Sequence, residues 1–134
     1  MIGFKGYVAS RPFQRQRAPQ HVQNLVIRDY CQARGMGYLL SSTEYAIPGS
    51  FLMLRQLLEN LESLEGIVFY SIFQMPEGAA ERSAIYDQVI SMGKSLHFAV
   101  EALSLSRDSD RQRLEDIWNV HQAMSSALDP QELV

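Results

Sequence analysis

Ser10 and Arg11 close an apolar segment, and Arg15 and Arg17 follow in a basic loop that runs to Pro19-Gln20. Guanidinium groups beside the free N–H groups of a helix start favour an anion. Ser10 is the one hydroxyl at this position that could act as a nucleophile, but no nearby residue supplies the base that a serine needs. Glu44 and Glu101 follow later apolar segments and would close the same crevice with negative charge. They are candidates to orient the arginines or to work as general acid and base. Ser10, Arg11, Glu44 and Glu101 therefore form the candidate catalytic set. Arg15, Arg17, Gln20 and Gln23 are candidate ligand-binding residues from the basic loop and the helix after it. Ser42, Tyr45, Ser71 and Gln74 are candidates from the later loops. The three histidines, His21, His97 and His121, have no metal-ligand spacing, no cysteine pair accompanies them, and no Gly-rich phosphate loop occurs. Neither a metal nor another cofactor is expected, and the lone Cys31 reads as a small core residue.

Four strand–helix pairs must position these groups. Residues 2–9 read as a first strand, ending in the apolar Gly6-Tyr7-Val8-Ala9. Pro19 suits a first helical turn, and Val22, Leu25, Val26, Tyr30 and Cys31 then form a helical stripe that ends at Gly35. Residues 38–41 form a second strand, and Ser50 is placed to cap a second helix whose buried face is Leu54, Leu57, Leu58, Leu61 and Leu64. The β-branched and aromatic run 66–73 is a central parallel strand. Residues 79–92 form a third helix with Ile85, Val89 and Met92 inward, 95–103 a fourth strand, and 108–127 the last helix. The predicted fold is α/β in three layers, an open, mostly parallel four-stranded sheet of order βαβαβαβα. Ligands of such sheets bind beyond the carboxyl ends of the strands, where the loops from Ser10, Ser41, Gln74 and Glu101 meet.

The chain of 134 residues, 46% apolar and 20% charged, fits one domain over 1–134, with 129–134 a frayed tail. A net charge of −3 counts against generic nucleic-acid binding. The sequence opens without a secretory leader, and its apolar runs fall far short of the ~20 residues that span a bilayer, so a cytoplasmic protein is expected. On the last helix Leu114, Ile117, Trp118, His121 and Met124 share one side, ringed by charge. Large side chains of this kind are favoured at interfaces, and the expectation is a homodimer or higher homo-oligomer built on that stripe.

Two resemblances add to this reading. Gly6-Tyr7 followed by Ser10, then Gln23, then Glu44 with Pro48-Gly49, resembles the catalytic domain of the serine recombinases over about residues 2–125, at low identity. That implies a resolvase-like fold. The family's arginine before the serine is absent, since Val8 and Ala9 stand there, and its Asp-Arg pair after strand three is replaced within Phe73-Gln74-Met75-Pro76. Without those phosphoryl-stabilising arginines, recombination is not implied. The segments GYVASRPF, PQHVQNLVIRDYC, YLLSSTEYAIPGS, GIVFYSIFQMP and LHFAVEAL are similar to the sporadic carbohydrate cluster proteins of bacterial surface-polysaccharide gene clusters. This resemblance implies a role in surface-carbohydrate biosynthesis and an anionic sugar-type ligand: a sugar nucleotide, sugar phosphate or sugar acid. A non-enzymatic scaffold subunit of the same pathway is the alternative, and a degenerate recombinase acting on DNA the third.

Overall fold

Strand β1 (Phe4–Ala9) is buried over its last four residues, and β3 (Gly66–Phe69) is buried throughout, as the apolar runs there require. The structure, a computed structural model, describes residues 2–10, 18–44 and 50–127. Helix α1 (Gln20–Ala33) joins β1 to β2 (Tyr38–Glu44), and α2 (Leu52–Glu59) leads to β3. Helix α3 (Ala79–Ser91) leads to β4 (Ser95–Phe98), and β5 (Leu103–Leu105) precedes α4 (Arg111–Ala127). The sheet order is β2-β1-β3-β4-β5, parallel except for the antiparallel β4–β5 pair.

The sheet has five strands rather than the expected four. The run 95–103 is not one strand: it stops at Phe98, and a turn closed by Ala102 N–H donating to the Ala99 carbonyl (3.3 Å) sends β5 back beside β4. Ala102 sits at φ 54°, a left-handed conformation in which no glycine or asparagine announced the reversal. Strand β2 is longer than expected and β3 shorter, because Ser71 caps a single 3-10 turn over Ile72–Gln74.

Successive crossovers leave β1 and β3 in opposite directions, so the strand order reverses between these two neighbours. The two helical layers are unequal among the described residues. Ile27, Tyr30 and Cys31 of α1 pack on Val8 and Val68 from one face. Leu54 and Leu57 of α2, Ile85, Tyr86 and Val89 of α3, and Leu114 and Trp118 of α4 pack on Tyr7, Ile67, Phe69, Leu96 and Phe98 from the other. Two stripe residues do not face in: Leu25 is 58% exposed and Met92 37%.

The last helix corrects the interface expectation in part. Leu114 and Trp118 are buried in this chain's own core and present no free face to a second copy, while Ile117 is partly buried against that core. Trp118 lies beneath the Arg82 guanidinium, 4.1 Å from the ring centre, and beside Phe73. His121 touches Phe73 yet is exposed, and Met124 is exposed.

The β1–β2 register carries the main irregularity. Lys5 faces Leu39 but Tyr7 faces Ser42, so β2 holds one extra residue, a bulge. The Ser41 side chain thereby crosses Gly6, where a Cβ would lie 2.2 Å from the Ser41 Oγ. Gly6→Ala is expected to lower stability by roughly 1–3 kcal/mol, and adding Ser41→Ala should restore part of it. Denaturant titration of both variants checks this; penalties that simply add would contradict the contact.

Candidate functional site

The strand order reverses between β1 and β3, and in open α/β sheets the candidate crevice for a ligand lies beyond the carboxyl ends of the strands at such a point. At this end of the sheet lie two buried amides, Gln23 and Gln74. The Gln23 side-chain oxygen accepts from Ala9 N–H (3.1 Å), while its nitrogen donates to the carbonyls of Ala9 and Ala18, both at 2.8 Å. Gln74 Nε2 donates to the same Gln23 oxygen (2.8 Å), tying the loop after β3 to the loop after β1. A buried amide left unpaired is costly, so this set is satisfied by making one strut of two loops. Gln23 and Gln74 thus position the crevice and direct their polar atoms into the protein.

Ser71 and Glu101 form the adjoining wall. Glu101 lies in the β4–β5 turn and accepts from the Ser71 hydroxyl and from Ile72 N–H, each at 2.8 Å. Ser71 also accepts from Phe73 N–H (3.2 Å), so the hydroxyl and carboxylate together hold the short turn that begins at Ile72.

Glu44 is fully buried at the end of β2, opposite Ala9. Its carboxylate accepts from Tyr7 Oη (3.0 Å), Met53 N–H (3.0 Å) and Leu54 N–H (3.3 Å), with Ser50 Oγ at 3.4 Å. It caps α2 from the neighbouring strand, in place of the expected Ser50 cap; the helix has no side-chain cap of its own. A carboxylate suits the positive end of a helix. These donors give the Glu44 carboxylate a structural role, and the Ser10 hydroxyl meets the Glu44 main chain rather than the carboxylate. Ser10 itself is half-buried, and its hydroxyl donates to the Glu44 main-chain carbonyl (3.2 Å), which Ser10 N–H also approaches at 3.4 Å.

The structure therefore brings together Ser10, Gln23, Glu44, Ser71, Gln74 and Glu101 at one end of the sheet. Gln20 is the exposed first residue of α1, whose N-terminus has no side-chain cap. Ser42 pairs with Tyr7, below the strand end. Arg11, Arg15, Arg17 and Tyr45 lie outside the described residues.

One buried charged group was missed. Arg82 is 2% exposed on α3 and pairs with Glu115 of α4 through two bonds of 2.8 and 3.0 Å. Its third nitrogen donates to the carbonyls of Pro76 and Glu77, so it anchors the far end of the loop that carries Gln74. Hydrogen bonding from Arg82 holds the Glu115 carboxyl below its ordinary value, and burial pushes the Tyr86 hydroxyl, which donates to Glu115, well up. The available signal was a charged residue on the same helical face as Ile85, Tyr86 and Val89.

His97 lies in β4, away from this crevice, between Tyr30 Oη at its Nδ1 (2.9 Å) and Ser95 Oγ at its Nε2 (3.0 Å). Burial, with help from Arg34, lowers its pKa to about 4, so it is neutral at pH 7. Burial also raises the Cys31 thiol. Among the described residues, no group of three or more His, Cys, Asp or Glu side chains could hold a metal ion. No helix among them is long and apolar enough to cross a membrane. No family model matches the chain, and no curated protein matches it.

Glu44→Gln replaces an acceptor oxygen with an NH2 group facing donors. Each buried donor left unpaired costs roughly 1–3 kcal/mol. The variant is expected to shift the urea midpoint down with an unchanged slope; wild-type stability would contradict the capping role.

Proposed function

We propose that the protein binds an anionic sugar intermediate in the crevice between the carboxyl ends of β1 and β3, as part of bacterial surface-carbohydrate biosynthesis in the cytoplasm. The observation that carries this reading is the Gln23–Gln74 strut, which ties the two crevice loops at the reversal of strand order. In the sequence, Arg11, Arg15 and Arg17 stand between Ser10 and the uncapped start of α1. Guanidinium groups and helix N–H groups both select for phosphate or carboxylate. The pathway rests on the likeness to the sporadic carbohydrate cluster proteins. The resolvase-like relation of the fold belongs to the same proposal; Tyr7 in β1, Ser10 directly after it and Gln23 on α1 support it.

Ser10 serves as a binding hydroxyl in this reading. Its hydroxyl is turned to a main-chain carbonyl, and the carboxylates of Glu44 and Glu101 are occupied by structural donors. The absent arginines at Val8 and Ala9 weigh against DNA strand exchange.

A thermal-shift series with UDP-glucose, glucose 1-phosphate and glucuronate tests the proposal. A ligand at 100 times its dissociation constant adds ~2.7 kcal/mol of stability. The double variant Arg11→Ala, Arg17→Ala should bind UDP-glucose at least ~10-fold more weakly, about 1.4 kcal/mol; unchanged UDP-glucose affinity would sink the idea.

A second reading, self-association as an interaction subunit, is favoured by the distal half of α4. Residues 119–124 are all exposed, with Val120 at 55% and Met124 at 53%. Light scattering at micromolar concentration should give a mass above one chain, and Val120→Glu with Met124→Glu should return it to one chain. A wild-type mass of one chain rejects this reading.

A further inference from the structure

The outer edge of the sheet holds a second feature that the crevice does not use. Asn24 and Arg28 of α1 face Tyr38, Leu40 and Ser41 of β2 across an open groove of about 610 Å3. That volume falls within the ~300–1,000 Å3 usual for small-ligand sites. The β2 bulge makes it: the extra residue turns Leu40 outward, 80% exposed, while Ser41 settles over Gly6.

We propose that this groove binds a small hydroxylated carboxylate of monosaccharide size, at a site separate from the β1–β3 crevice. Arg28 is exposed and has no carboxylate or carbonyl partner among the described residues, and its fork matches a carboxylate. The Tyr38 and Ser41 hydroxyls are 2.7 Å apart and hydrogen-bonded, and Tyr38 Oη also reaches Asn24 Oδ1 (3.4 Å). This network leaves the Asn24 NH2 group to donate outward and hydroxyl lone pairs to accept, which suits vicinal ligand hydroxyls. Leu40, 80% exposed in the lining, offers an apolar flank for a C–H ring face. An added β-strand fits less well, because the bulge interrupts the outer ladder of β2.

The test is an isotope-labelled titration of the full chain with glucuronate, glucose and inorganic phosphate, reading amide and side-chain shifts. Glucuronate is expected to move Asn24, Tyr38, Leu40 and Ser41, and glucose to bind at least ~10-fold more weakly. Arg28→Ala, at an exposed position, should weaken glucuronate ~10-fold or more, whereas Arg55→Ala, an exposed arginine on α2, should leave it unchanged. The double variant Arg11→Ala, Arg17→Ala separates the two sites: it should leave these groove shifts intact. Absence of groove shifts, equal binding of glucose or phosphate, or full affinity in Arg28→Ala overturns the proposal.

Discussion

A single buried carboxylate holds the working end of this sheet together. Glu44 accepts from Tyr7 of β1 and from two N–H groups at the start of α2, while its own carbonyl receives Ser10. Hydrogen bonds to a charged group contribute roughly 1.5–3 kcal/mol each, and a buried charge without them would be untenable. The end of β1, the end of β2 and the start of α2 are thereby set relative to one another by one side chain. Ser10 inherits its place from this arrangement.

The other side of the crevice depends on the same kind of economy. Gln23 and Gln74 satisfy each other and the Ala9 backbone, Glu101 holds the turn at Ser71-Ile72, and Arg82 fixes the carbonyls of Pro76 and Glu77. Polar residues that look like chemistry in a list of loop positions are here the frame of the loops. Their atoms are engaged with backbone, so the groups that meet a ligand must come from the rim. In the proposed reading the ligand therefore meets Ser10, the arginines that follow it in sequence and the start of α1.

How legible this was depended on whether the relevant physics was local. The β-branched run at 66–69 and the leucines from Leu54 to Leu64 declare themselves, because periodicity and burial are properties of neighbours in sequence. That the loops at Ser10, Gln74 and Glu101 lie at one end of the sheet follows from the alternation of strands and helices. The role of Glu44 was not legible: its donors are Tyr7, 37 positions away, and Met53 and Leu54 at the start of a helix. The fifth strand was hidden because Ala102 takes a left-handed turn with no glycine to mark it. Trp118 looked like interface because its partners, Arg82 and Phe73, come from α3 and from the loop after β3.

The most direct test of the central claim is to map where a sugar nucleotide lands. Titrating UDP-glucose into labelled protein should shift the amides of Ser10, Gln20 to Gln23, and Ser71 to Gln74, which line the two sides of the β1–β3 crevice. Shifts confined to other parts of the sheet, or none at saturating ligand, would contradict the assignment of this crevice as the binding site.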